Sequence, residues 1–344
     1  MRIVVLCGGL YPERDVSIAS GRQIAQSLIE RGHQVLLMDL FFGYPEAYTD
    51  LHAVFDGSLE RVPSSLRAAA PDLEAVRAKR PGEEEGLIGP KVFELCRAAE
   101  IVFLALHGED GENGKLQAAF DLAGIRYTGT GAFGSALAMH KGVSRVLFER
   151  VGIRVPPGQL VGRGEALGEV SYPCVVKPAS GGSSVATTIV EGAEGLDGAL
   201  TEVFRVDDEA LVETFIPGRE FSVGVLDGAA LPVIEICPKS GFFSYENKYQ
   251  PGMTEEICPA TLSETEAVCM QRAALKAHKT LHLAVYSRTD FIQTEGGELY
   301  CLETNTLPGM TPMSLLPMEA RAAGLDFGDL CERIIAVSMR KYQK

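Results

Sequence analysis

Residues 284–305 read AVYSRTDFIQTEGGELYCLETN, and their reading decides the architecture of the C-terminal half of the chain. Two apolar runs flank Thr294-Glu295-Gly296-Gly297, a turn signal, so the segment predicts an antiparallel hairpin with strands at 284–293 and 298–304. A turn built on those four residues puts Arg288 opposite Glu303 and Asp290 opposite Cys301. Side chains alternate along a strand, so Arg288, Asp290, Glu303 and Asn305 share one face. Three hard oxygen donors with coordination positions to spare suit Mg2+ that also carries substrate phosphates. A solvated hairpin face with a cross-strand Arg-Glu pair is the ordinary alternative. The apolar strands on both sides and the immediate turn into NTLPGM favour the metal.

Upstream, the apolar strand YPCVVKP ends in Lys177-Pro178 and runs into ASGGSSVA at 179–186, with the strand TTIV after it. Glycines let backbone approach a phosphate closely, and Lys177 and the serine hydroxyls can donate to its oxygens. The spacing is not that of a Walker A loop, and a strand rather than a helix follows, so the expectation is a flap over phosphates between two strands. Further upstream, RIVVLC at 2–7, Gly8-Gly9, a helical stretch ending at Gly32 and a second apolar run at 34–40 open a parallel β-α-β unit. Glu13 begins that helix, at the C-terminal end of the first parallel strand, where such sheets bind ligands. Strand 101–106 ends at His107 in the loop HGEDGENG, a helix covers 115–123 and a short strand 125–128, and a longer helix is expected from Ser135 to about Val151. The proline-punctuated stretch 41–100 reads as loops with short elements, and the segment 238–252 as a long loop.

The chain has 344 residues, enough for two or three domains. Hydrophobic residues at 46% and charged residues at 23% match globular proteins and exclude a disordered tail protein. A net charge of −14 disfavours nucleic acid and anionic membrane as partners, so any polyphosphate must be held in a locally basic or amide-lined pocket. No apolar stretch approaches the ~18 residues of a membrane span, and residues 1–7 are too short for a signal h-region. The eight cysteines are scattered singles with no Cys-x-x-Cys pair, as expected of reduced thiols in a cytoplasmic protein.

Seven motifs follow one another along the chain: GGLYPERDVS (8–17), LHGEDGENGKLQ (106–117), YTGTG (127–131), VVKPASGGSSV (175–185), KY (248–249), RTD (288–290) and ETNTLPGMTPMSLLP (303–317). In kind and order they resemble those of the D-alanine-D-alanine ligases of the ATP-grasp superfamily. The resemblance implies an α/β and α+β protein of ATP-grasp fold. Its parts would be an N-terminal parallel α/β domain (1–129), a central flap domain (130–213) and a C-terminal antiparallel-sheet domain (214–344), with ATP between the last two. It implies that Lys141 and Lys177 hold ATP phosphates, that Glu213, Phe215 and Glu220 hold adenine and ribose, and that Asp290, Glu303 and Asn305 bind two Mg2+ ions, or Mn2+. Glu13 would take the ammonium of the first D-alanine and close the site with Ser183 and Tyr249. Arg288 and the amide of Gly309 would stabilise the tetrahedral oxyanion, and His107, Lys248, Ser314 and Leu315 would contact substrate, the last two holding the second D-alanine's carboxylate.

The implied activity is the ATP-dependent joining of two D-alanines for peptidoglycan precursor synthesis, by a cytoplasmic homodimer. Several positions depart from the family's pattern: His140 stands where an aspartate is common, Ala186 replaces a flap glycine, and Asn113 and Ala118 replace Asp and Gly. None of these is an expected metal ligand, so altered rates rather than lost chemistry are expected. A ligase taking D-serine or D-lactate as second substrate is the rival within the family. A regulator that kept the fold and lost turnover should lack a metal ligand or Arg288, and this chain lacks neither. A Rossmann dehydrogenase is excluded because Gly8-Gly9 lacks the G-x-G-x-x-G spacing.

Overall fold

The computed structural model describes residues 1–63, 71–80, 86–182, 184–238 and 254–343. The first apolar runs form a parallel sheet of order β2-β1-β3, from β1 (Arg2–Cys7), β2 (Gln34–Asp39) and β3 (Ile101–Leu104). All three are buried almost throughout because helices cover both faces. Helix Arg14–Glu30 buries Val16, Ile24 and Leu28 on one side and stops where Gly32 turns left-handed. The far end of the chain joins this cover: helix Phe327–Arg340 packs beside helix Arg14–Glu30 and delivers Leu330, Ile334 and Ile335 to the same core as Ile3, Val5 and Phe103. The strand expected at 125–128 reduces to one bridge, Val102 to Tyr127, since the neighbouring amides turn to side chains.

A second, antiparallel sheet of order β4-β7-β5-β6 consists of β4 (Gly158–Gly162), β5 (Cys174–Pro178), β6 (Thr188–Val190) and β7 (Glu209–Thr214). Helix Leu196–Val203 closes its small core, in which Val176, Val203 and Val212 meet. The third sheet runs β11-β10-β8-β12-β13, with β9 (Ala229–Ala230) pairing to β8. Its strands are β8 (Arg219–Leu226), β10 (Ile234–Pro238), β11 (Thr254–Ile257), β12 (Tyr286–Gln293) and β13 (Leu299–Asn305). One face of this sheet packs on helix Glu264–Thr280, which opens with a Ser263–Glu266 capping box.

The helix expected from Ser135 to Val151 is two helices, Ala132–Met139 and Lys141–Arg150. His140 leaves helical geometry at φ −88°, ψ 97°, and its Nδ1 accepts from the Val143 amide as the cap of the second helix. Both helices contribute to the core beneath the third sheet, through Ala138 and Phe148, rather than to the core of the flap sheet.

The β12-β13 hairpin forms with a register that differs from the expected one. Asp290, not Arg288, lies opposite Glu303, and Arg288 lies opposite Asn305. Two local features move it. The turn closes with the Thr294 amide donating to the Glu298 carbonyl (3.0 Å), with Gly297 at φ +80°. A bulge then lies between the Asp290 and Phe291 pairs, where the Cys301 amide leaves the hairpin and donates to Arg154 O at 2.8 Å. The eight cysteines are free thiols, with Cys7, Cys96, Cys174, Cys301 and Cys331 buried.

Candidate active site

Between the flap sheet and the third sheet lies a cavity of about 410 Å3. Lys141, Lys177, Glu213, Phe215, Glu220, Asp290 and Glu303 all line it, so residues up to 162 positions apart along the chain meet in one cleft. Lys177 lies next to the end of β5 and Glu213 on the adjacent β7, diagonal to it on the same face, which brings the Lys177 ammonium onto the Glu213 carboxylate. Lys141 opens helix Lys141–Arg150 directly after the His140 break. Its amide donates to Ala179 O (2.7 Å), its Nζ donates to Gly181 O (2.6 Å), and the Nζ stands 3.5 Å from Glu303 Oε2. His140 Nε2 reaches Glu209 Oε2 at 2.9 Å, so the departure from the family's pattern ties the Lys141 turn to the flap sheet.

On the hairpin face, Arg288 forms a two-pronged pair with Asp290, Nε to Oδ1 at 2.9 Å and Nη2 to Oδ2 at 2.8 Å. Asp290 also accepts from Ser222 Oγ (2.7 Å) and Asn305 Nδ2 (3.3 Å). Burial works against the Arg288 cation, but Asp290 and Glu303 outweigh it and hold its pKa above the usual value. Asp290, Glu303 and Asn305 thus present two carboxylates and an amide oxygen. Among the described residues no three His, Cys, Asp or Glu cluster tightly enough for an all-protein metal cage. A sparse oxygen set fits Mg2+, which keeps waters and substrate phosphates in its shell, better than it fits a metal that needs a full protein shell.

The N-terminal sheet builds the far side of the flap loop. Gly182 of the flap loop approaches Glu13 so closely that a Cβ there would stand 3.0 Å from Glu13 Oε2. His107, 7% exposed, lies between Ser20 Oγ (Nε2, 3.2 Å) and Leu307 O (Nδ1, 3.1 Å), and burial lowers its pKa. Ser314 precedes helix Leu315–Ala322, and its Oγ contacts Thr311 Oγ1 at 2.8 Å. A Cβ on Gly309 would stand 2.7 Å from that same Oγ, so the glycine keeps the backbone against the serine. Leu315 is buried with Ile234 and Ile236, which anchors the start of the helix. Ser183, Lys248 and Tyr249 lie outside the described residues.

Three residues escape the motif reading. The Tyr11 hydroxyl accepts from the Gly182 amide, joining the first loop to the flap, and burial raises its pKa. Glu112 accepts from Gly108 N (3.0 Å), Thr306 N (3.1 Å) and Leu307 N (2.9 Å), which ties the HGEDGENG loop to the NTLPG backbone. Burial pushes its pKa up to about 7 against those three amides. Glu319 is fully buried beneath the hairpin face. The GENG spacing quoted above contained Glu112, but nothing in sequence said that its carboxylate points at residues almost 200 positions away.

The sequence profile of the D-ala D-ala ligase N-terminus matches residues 2–130, and that of the D-ala D-ala ligase C-terminus matches residues 160–336. The chain is 42% identical over 346 residues to a D-alanine–D-alanine ligase of Lacticaseibacillus casei (strain BL23), covering 99% of this chain and 97% of the relative. It is 40% identical to the one of Pediococcus pentosaceus, covering 100% and 99%. Among solved structures, the Bacillus anthracis D-alanine–D-alanine ligase complexed with ATP superposes with a TM-score of 0.77 at 28% identity, over 100% of this chain and 99% of that one. The Coxiella burnetii D-alanine-D-alanine ligase gives 0.77 at 26% identity, over 100% and 95%. With cleft, flap and hairpin in one arrangement and relatives matched from end to end, the chain belongs to the D-alanine–D-alanine ligase family.

Proposed function

We propose that the cleft performs the ATP-dependent ligation of two D-alanine molecules to D-alanyl-D-alanine, with ADP and phosphate released, for peptidoglycan precursor synthesis. The observation that carries it is the meeting of Lys141 and Lys177 with Glu213, Asp290 and Glu303 in one cavity, with Arg288 paired to Asp290 at its wall and the flap loop reaching Glu13. A carboxylate is a poor acyl donor, so the first D-alanine's carboxylate attacks the γ-phosphorus and ADP leaves. The amine of the second D-alanine then displaces phosphate from the acyl phosphate through a tetrahedral intermediate. The protein positions the reactants and neutralises their charge.

Three cations here each have a carboxylate partner: Lys177 with Glu213, Lys141 with Glu303, Arg288 with Asp290. Nucleotide entry exchanges these partners. Lys141 and Lys177 turn to the phosphates, while Glu213, Phe215 and Glu220 receive the base and ribose. Asp290, Glu303 and Asn305 are the residues that would hold two Mg2+ ions, which would neutralise phosphate charge. Glu13 binds the first ammonium, Arg288 and the Gly309 amide face the developing oxyanion, and the helix start at Ser314 and Leu315 receives the second carboxylate. His107 stays neutral at neutral pH because burial lowers its pKa, and it braces the Leu307 carbonyl beside this path.

Product chromatography with ATP, Mg2+ and D-alanine, D-serine or D-lactate as second substrate tests the assignment. D-alanyl-D-alanine should be the main product at neutral pH; a dominant D-lactate or D-serine product would replace the substrate assignment. A homodimer is part of the same reading and is tested by light scattering. Among the described residues no helix is long and apolar enough to cross a membrane.

A further inference from the structure

Glu319 stands out among the buried groups that the reaction scheme leaves unused. It lies on helix Leu315–Ala322, is 0% exposed, and uses only one of its two carboxylate oxygens. Oε1 accepts from the Gly224 amide at 2.9 Å, and Oε2 has no hydrogen-bond partner among the described residues. Leaving a buried carboxylate oxygen unmatched is costly, and supplying one acceptor to Gly224 does not require a carboxylate, since an amide oxygen would serve.

The position of Oε2 gives it a partner. Gly224 lies directly opposite Arg288 in the β8-β12 pairing, so a side chain at 224 would share a face with that of Arg288. A Cβ on Gly224 would stand 2.5 Å from Glu319 Oε2, so the Glu319 carboxylate fills the place that a side chain at 224 would take. On that face Arg288 has both prongs on Asp290, the residue assigned to the metal. Burial raises the Glu319 pKa to about 8 and the Arg288 cation works against that rise, so a closer guanidinium favours the carboxylate form.

We propose that Glu319 is a positioning residue for Arg288: when Asp290 turns to the metal, the unmatched carboxylate oxygen receives the guanidinium and keeps it at the oxyanion. The proposal rests on the reading above, in which Asp290 binds metal and Arg288 faces the intermediate. It accounts for the unmatched oxygen, for the absence of a side chain at Gly224, and for how Asp290 can leave Arg288 without stranding a buried cation.

The test is Glu319→Gln, which keeps the volume and an acceptor for Gly224 but removes the charge. Mn2+ binding in the presence of ADP is read by electron paramagnetic resonance, alongside kcat and KM. The expected result is Mn2+ affinity and kcat each lowered about tenfold, the scale of one lost charge-assisted hydrogen bond, with KM for ATP within about twofold of the parent. Parent-like Mn2+ affinity and kcat in Glu319→Gln would overturn the proposal and leave Glu319 as a cap for Gly224. If Glu319→Gln does not fold, the equal-sized pair Glu319→Asp and Glu319→Asn replaces it: the Asp variant should bind Mn2+ more tightly, and equal affinities would overturn the proposal. Asp290→Asn in the same assay separates the two levels. Mn2+ binding that survives Asp290→Asn contradicts the metal reading itself, whereas binding lost in Asp290→Asn and unchanged in Glu319→Gln contradicts only the role of Glu319.

Discussion

Lys177 and Glu112 show how single side chains hold this site. Lys177 and Glu213 are both nearly buried, at 11% and 6% side-chain exposure, so each neutralises the other. Lys177→Met removes the cation and strands the Glu213 carboxylate, so ATP affinity measured by calorimetry should fall at least about thirtyfold, with a loss of stability from the unpaired carboxylate. Unchanged ATP affinity would remove Lys177 from the phosphate site. Glu112 acts through backbone: its three amide partners lie in two loops that no strand connects. Glu112→Ala leaves those amides without an acceptor and should cost about 2 to 4 kcal/mol in urea unfolding, with kcat reduced because the NTLPG backbone loses its strut. Of these residues Lys177 was legible, since a lysine at a strand end before a Gly/Ser loop is a local pattern. Glu112 was not, because its partners are set only by tertiary packing.

Among the elements, the flap and the hairpin helix carry the testable strain and titration. Ser184 and Ala186 in the flap both adopt positive φ, +57° and +51°. A left-handed Ala costs about 1 kcal/mol and a β-branched residue more. Ala186→Gly should therefore leave the melting temperature at or slightly above the parent value, whereas Ala186→Val should weaken ATP binding several-fold; equal ATP affinity in the two variants would contradict the flap assignment. On helix Glu264–Thr280, His278 Nδ1 contacts Ser287 Oγ at 2.7 Å, and burial lowers its pKa to about 4. The folded state thus binds this proton more weakly than the unfolded chain does. The His278 contribution is intact above pH 6.5 and is lost as pH falls toward 4, a span of about 2 to 3 kcal/mol. His278→Gln should flatten the stability profile in that window relative to the parent; parallel profiles would contradict the buried neutral imidazole. The hairpin was legible as a hairpin, and its acidic face with it. Its register was not, because a bulge at Leu302 depends on Arg154 drawing the Cys301 amide away, and Arg154 is remote in sequence. The His140 break was hidden for the opposite reason: the apolar periodicity continues through it, and only the local cap ends the helix.

Across the whole molecule the chain closes on itself. Helix Phe327–Arg340 belongs by sequence to the C-terminal part and by packing to the N-terminal sheet, against helix Arg14–Glu30. Arg31 strengthens this closure at the surface, reaching Asp326 at 2.6 Å and Glu332 at 2.9 Å. Ile334→Ala opens a cavity in that core and should cost about 2 to 4 kcal/mol, destabilising the substrate side of the cleft although no residue of the cleft changes. Neutral unfolding behaviour would show that the helix is not part of that core. The same closure explains why motifs from both ends of the sequence converge: Glu13 and His107 come from the parallel sheet, Ser314 and Leu315 from the loop and helix beneath it, and the flap loop bridges them at Gly182.

The proposed reaction joins two D-alanines in this cleft by means of ATP, with the metal on the hairpin carboxylates. The most direct measurement is phosphate release together with dipeptide formation from ATP, Mg2+ and D-alanine, in the parent and in Glu303→Gln, with circular dichroism as the control for folding. The parent should release one phosphate per D-alanyl-D-alanine formed, and Glu303→Gln should remain folded with its turnover reduced by at least about a hundredfold, the scale of losing a stabilising charge at transferring phosphate. Parent-level turnover in folded Glu303→Gln, or phosphate release without dipeptide in the parent, would contradict it.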